Sequence, residues 1–214
     1  MRLQDLFEAL EQPRHNTVVY AFGRFNPPNP GHRRLVNYLK RLAAKYNADW
    51  YLFISPRDPD PAKNPLTPEQ KLAWWRAIDP EDADHFVMSP RIPNSSFAAE
   101  YLYNEGYDNC IVAYGAGEEA MRFPIAYNGK TTGKTGEPLT TRYAFKQFID
   151  GGSPGAEDAR GIPGNPRIRS TDLRDLVARG DRAGFYKQAG VDPRLKVDNL
   201  DYFTTLQDAM SQAK

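Results

Sequence analysis

The chain has 214 residues, with 28 Lys and Arg against 27 Asp and Glu, so its formal net charge is +1. That length suits one α/β domain with a real core, and the near-cancelling charge excludes a strongly basic nucleic-acid surface in bulk while leaving a local basic cleft open. The single cysteine, Cys110, excludes an internal disulfide framework and any multi-cysteine metal site, which fits a reducing cytoplasm.

The predicted elements begin with Leu3, Leu6, Phe7 and Leu10, which fall at helical spacing before Pro13. They read as a short amphipathic helix over residues 1–14, docked on a domain of residues 15–180; a detachable targeting or assembly segment is the alternative. No stretch is apolar for long enough to span a bilayer, and no secretory signal is evident. Residues 17–22 (TVVYAF) predict a first strand, and a turn-rich stretch leads to a helix over residues 32–46 with Leu35, Val36, Leu39, Leu42 and Ala43 on one face. A second strand follows at residues 49–55. Thr67 then caps a helix that carries Pro68 at its first position and stops near Ile78.

The pattern recurs: a strand at residues 85–88, a helix at 96–104 ended by Gly106, and a strand at 109–114. Cys110 lies in that strand between apolar neighbours, which favours a buried cysteine over a reactive thiol. Strand and helix alternation predicts βαβ units and a mainly parallel sheet, with functional loops at the carboxyl ends of the strands. Residues 124–166 lose the pattern and read as an elaborated loop or lid, with a possible element at 143–149. A helix opens at Ser170-Thr171-Asp172. Residues 181–214 predict a helical tail packed on the domain, with a final helix around 202–210.

The strongest motif is Gly23-Arg24-Phe25-Asn26-Pro27-Pro28-Asn29-Pro30-Gly31-His32, after a strand and at a helix start. Gly23 and Gly31 permit close backbone approach, and the prolines stiffen the loop. The helix amino terminus offers unpaired N–H groups to an anion, His32 an imidazole N–H and Asn29 an amide. This stretch resembles the G-x-F-x-P-x-H/T-x-G-H signature of the nucleotidyltransferase superfamily. Its GRFNPP form is most similar to cytidylyltransferase-like proteins carried by bacteriophages. Asn29 stands where the family has His or Thr.

Two further motifs resemble the same family. Lys63-Asn64-Pro65 through Lys71 looks like its K-N-P-x-x-x-E-x-R loop. Ile168-Arg169-Ser170-Thr171-Asp172-Leu173-Arg174 looks like I-S-S-T-x-I-R, with Arg169 in place of a serine. The segment 112–122 (VAYGAGEEAMR) occupies the place of a glycine loop that borders base and ribose, which puts Gly115 beside the nucleotide. The resemblance implies a Rossmann-like three-layer α/β/α fold. It also implies transfer of AMP or CMP from ATP or CTP to a phosphate-bearing small molecule, with release of pyrophosphate.

In that scheme His32 and Asn29 hold the α/β-phosphate region, with Gly23, Phe25, Asn26 and Gly31 shaping the binding loop. Ser170, Thr171 and Arg174 hold the pyrophosphate, and Lys63 and Arg24 bridge donor and acceptor. Mg²⁺ rides on the phosphates. Nicotinamide mononucleotide is the first choice of acceptor. Within the fold, a synthetase-like adenylate former is disfavoured by the missing K-M-S-K-S loop. From another class, a non-catalytic nucleotide-binding or virion-associated protein draws support from Asn29 and Arg169. The expected setting is cytoplasmic (the host cytoplasm for a phage protein), with no membrane partner, no strong sign of nucleic acid and a homo-oligomer left open. Residues 129–136 (GKTTGKTG) fail as a P-loop because Asn128 stands where a glycine is needed and no strand precedes. His15, His32 and His85 have no metal-ligand spacing.

Overall fold

The computed structural model describes residues 16–211, so the helix expected over 1–14 and the last residues of the tail lie outside it. Strand β1 (Thr17–Gly23) leads through the proline-rich loop into helix α1 (Pro30–Tyr46), then β2 (Asp49–Ile54), α2 (Pro68–Ile78) and β3 (Phe86–Met88). Helix α3 (Ser95–Asn104), β4 (Asn109–Ala113) and β5 (Gln147–Gly152) complete a five-stranded, all-parallel sheet in the order β3-β2-β1-β4-β5. Helices α1 and α2 cover one face and α3 the other, giving a three-layer, Rossmann-like α/β fold.

The central strand shows why. Val19 and Ala21 pack with the α1 residues Leu35, Val36, Leu39 and Leu42, while Val18 and Tyr20 pack with Ala98, Ala99 and Leu102 of α3. Alternate residues thus feed two cores, as the strand pleat requires, and a strand buried on both faces is apolar throughout. Cys110 is fully buried in β4.

Helix boundaries follow their caps. The Asn29 side chain accepts the His32 N–H at 3.0 Å, and Pro30 has no N–H to satisfy, so α1 starts there. Asn47, in the left-handed region at φ 49°, ends it. Thr67 and Gln70 form a reciprocal capping box at α2. Helix α2 carries two fully buried tryptophans: Trp75 joins the sheet core, and Trp74 joins a second cluster built by the C-terminal third.

The structure adds detail to two expectations. Within residues 124–166 the possible element expected at 143–149 overlaps β5, which pairs with β4 from Asn109↔Gln147 onward and forms the sheet edge. The connection after β5 is strapped to α1: the Arg41 guanidinium grips Asp158 through two bonds of 2.9 Å, and Asn37 donates to the Asp158 carbonyl at 3.0 Å. The C-terminal part is also more than a tail. Helices α4 (Ser170–Ala178), α5 (Arg182–Ala189) and α6 (Tyr202–Ser211), with a short β6–β7 hairpin (Lys196–Val197, Leu200–Asp201), enclose a cluster containing Leu66, Trp74, Leu173, Phe185 and Tyr202. No helix among the described residues is long and apolar enough to cross a membrane.

Candidate active site

The sheet order turns back at β1, whose neighbours β2 and β4 continue the chain in opposite directions. A crevice opens above the carboxyl ends of strands at such a switch point, where open α/β sheets receive ligands. Here it is a cavity of about 480 Å³, within the range of small-molecule sites. The motif loop enters its wall with Gly23, Arg24, Phe25, Asn26, Gly31 and His32. Lys63 reaches it from the loop after β2, Gly115 from the end of β4, and Ser170, Thr171 and Arg174 from the start of α4. Residues more than 130 positions apart in the chain therefore meet around one space, as the three sequence motifs required.

The loop is shaped by its own residues. Phe25 takes φ 47°, and its ring lies 2.6 Å from where a Cβ on Gly23 would stand, so only glycine fits there. Phe25 is buried, with one edge on the cavity, and packs edge-on against His32 at 5.1 Å and Trp75 at 5.9 Å. Asn26 is a clasp. Its amide nitrogen donates to the Asn64 side chain at 2.7 Å and the Leu66 carbonyl at 2.9 Å, and its oxygen accepts the Leu66 N–H at 3.2 Å. The motif loop and the lysine loop are thereby one unit, which places Lys63. Among the described residues no ion pair engages the exposed Lys63 side chain.

His32 is sealed on one side. Its Nδ1 is buried without a hydrogen-bond partner, and burial holds its pKa down from the ordinary 6.5 to about 3. The ring is therefore neutral, with one N–H. Placing that proton on the cavity-facing nitrogen, Nε2, leaves no buried donor stranded, so His32 presents a donor to whatever occupies the cavity.

Asn29 is not on the wall. Its oxygen caps α1, and its nitrogen donates to the Ser170 hydroxyl at 3.0 Å. The phosphate contact expected of it is thus replaced by a cap that joins α1 to α4. Ser170 in turn donates to the Pro27 carbonyl at 3.1 Å, so its one hydroxyl hydrogen is spent there and the donor it can offer the cavity is its backbone N–H. Arg169 points away: its side chain is 78% exposed and pairs with Asp172. Asp172 also accepts the Arg169 N–H at 3.0 Å, which is half of a capping box, since an arginine side chain has no acceptor to complete it.

Two helix amino termini therefore meet at the cavity. In α1, Pro30 has no N–H and the His32 N–H is capped, leaving Gly31 as the open amide of that turn among the described residues. A Cβ at Gly31 would lie 3.1 Å from Asn29 Oδ1 and 3.2 Å from the Ile168 carbonyl, so this turn packs closely against the segment that leads into α4. Arg174, one turn into α4, donates to the Asn26 carbonyl at 2.9 Å and to the Thr171 hydroxyl oxygen at 3.1 Å. Burial lowers its pKa from the ordinary value, Asp175 opposes this, and nearby Arg24 adds to it.

The wall carries three side-chain cations, Arg24, Lys63 and Arg174, against one carboxylate, Glu118. The local charge is thus strongly positive in a chain whose total is +1. Beneath it lies Lys71, fully buried, donating to the Ser55 carbonyl at 2.6 Å. Burial first, then Arg24, bring its pKa down to about 8 against the opposing pull of Glu69. The sequence placed Lys71 at the end of the lysine-bearing motif but gave it no role of its own. It also gave no site role to Phe22, Leu35, Glu118 and Met121, which add three apolar side chains and the one carboxylate to the lining. Only the last two had a signal, in the glycine loop that follows β4. Residues 129–136 contribute nothing to the wall. Among the described residues no group of three or more His, Cys, Asp or Glu is placed to hold a metal ion.

Fold and site together define a Rossmann-like α/β protein with a cationic cleft at the switch point of its sheet. No family model matches the chain, and no curated protein matches it at a significant level.

Proposed function

We propose that the protein is a nucleotidyltransferase that moves AMP or CMP from ATP or CTP to a phosphate-bearing small molecule. The observation that carries this reading is the meeting of His32 with the start of α4 and three cations around one cavity. Three positive side chains, two helix amino termini and a neutral imidazole donor suit a triphosphate better than a singly charged ligand. The apolar part of the lining, Phe22, Leu35 and Met121, suits a base.

In the proposed reaction an oxygen of the acceptor phosphate attacks the α-phosphorus in line. The bond to the bridging oxygen breaks, and pyrophosphate leaves with the electron pair. No protein nucleophile is needed, and positioning with charge neutralisation supplies the rate. His32 Nε2–H and the Gly31 amide hold the phosphate at which charge develops. The Ser170 and Thr171 amides and Arg174 receive the departing pyrophosphate. Lys63 and Arg24, in no ion pair among the described residues, bring the acceptor phosphate against the donor. A wall with one carboxylate fits Mg²⁺ that arrives on the triphosphate rather than in a protein cage, and there it would neutralise phosphate charge. Nicotinamide mononucleotide is the first acceptor to try.

The test is pyrophosphate release from ATP and CTP with a panel of phosphorylated acceptors, in the wild type and in His32→Ala. Release that falls at least a hundredfold in the variant, with the fold retained, supports the reading; loss of one preorganised donor has about that effect. Equal release would remove His32 from the mechanism. One observation favours a second reading, a non-catalytic nucleotide-binding protein: Asn29 and the Ser170 hydroxyl engage each other instead of the cavity. Triphosphate binding without release under any acceptor would select it.

A further inference from the structure

We infer that Tyr202, on the last helix of the chain, is a positioning residue for the phosphate loop. The stretch from Asn26 to Pro30 contains three prolines, so it has few N–H groups with which to satisfy its own carbonyls. Three successive carbonyls are met instead by side chains from the C-terminal third. Arg174 donates to Asn26 at 2.9 Å, Ser170 to Pro27 at 3.1 Å, and the Tyr202 hydroxyl to Pro28 at 2.6 Å.

The first two donors line the cavity and the third does not. Tyr202 is fully buried, with its ring 4.3 Å from Trp74 and 5.5 Å from Phe185. It acts through Pro28, the neighbour of the Asn29 cap. Holding that carbonyl fixes the direction in which Asn29 enters α1, and with it the Gly31 amide and the His32 ring. Burial also pushes the phenol pKa well above its ordinary value, so the hydroxyl remains a donor throughout the physiological range. The packing of Tyr202 is set by Trp74 on α2, the helix that follows the lysine loop. The contact thus joins all three motif regions behind the cavity, across 174 residues of chain.

This inference rests on the reading of the cavity as a triphosphate site, and its test separates the two. Tyr202→Phe deletes the hydroxyl and keeps the ring. Thr205→Val is the control, because that buried hydroxyl donates to the Asp201 carbonyl beside its own helix and not to the loop. Both variants and the wild type are compared for binding of inorganic tripolyphosphate and of ATP, for the amide ¹H–¹⁵N shifts of Gly31 and His32, and for their urea unfolding midpoints. Tyr202→Phe is expected to move both amide shifts and to weaken tripolyphosphate binding about tenfold, the scale of one hydrogen bond. Thr205→Val is expected to leave shifts and binding unchanged even where it lowers the midpoint. Unmoved amide shifts in Tyr202→Phe, or equal effects of the two variants, overturn the positioning role. If the wild type binds neither polyanion, the triphosphate reading fails while the amide shifts still decide the role of Tyr202.

Discussion

Replacing His32 with glutamine should flatten the acid side of the protein's stability curve. The imidazole has a pKa of about 3 in the folded chain and about 6.5 when unfolding exposes it. A folded value below the unfolded one means that the unfolded chain binds the proton first as pH falls. The stability that the neutral ring contributes is complete above pH 6.5 and is lost progressively below it, down to about pH 3. At pH 5 the gap is about 1.5 units, worth about 2 kcal/mol. Carboxylates add a parallel loss at lower pH; Asp192, which the Arg194 guanidinium holds down to about 2, is one. The informative quantity is therefore the wild-type loss minus the variant loss, from urea unfolding at pH 7.5 and pH 5. A difference near 2 kcal/mol is expected, along with an NMR titration in which the His32 ring shows no protonation above pH 5. Equal pH dependence in the two proteins, or a His32 ring that titrates near 6.5, would refute the sealed, neutral imidazole and the donor role built on it.

Arg174→Lys keeps the charge but loses the fork that spans the Asn26 carbonyl and the Thr171 hydroxyl. Calorimetry should show tripolyphosphate binding weakened about tenfold, and unchanged affinity would reduce Arg174 to a point charge. Asn26→Ala removes three buried hydrogen bonds between the motif loop and the lysine loop. Urea unfolding should record a loss of about 2–3 kcal/mol, because the Leu66 N–H and carbonyl are left without partners; a loss under about 0.5 kcal/mol would show that the clasp re-forms another way.

The legible parts of the sequence were those whose local chemistry and tertiary role agree. Residues 18–22 are apolar or aromatic at every position because β1 is covered on both faces, and Thr67-Pro68 starts α2 in the way its residue types favour. Strand β5 was obscured by its own residues: Gln147–Gly152 reads QFIDGG and ends in what looks like a turn, yet β4 gives it a partner at the sheet edge. Helix α5 carries Gly184 inside eight residues, and the cluster around Phe185, not propensity, holds it. At the cavity the three motifs were legible as places but not as individual roles. The same Asn29 amide can meet a phosphate or cap a helix, and only the position of Ser170 shows which. Tyr202 left no trace in the sequence, since nothing local marks a tyrosine that serves a loop 174 residues away.

Adjacent tryptophans on α2 project about 100° apart, Trp75 into the sheet core and Trp74 into the C-terminal cluster. One rigid rod thus supplies an indole to each of two hydrophobic interiors, and neither interior survives intact without it. The two should melt in a single step. Cutting the chain before α4 should then yield not a smaller stable domain but a helix with one large apolar face open to water.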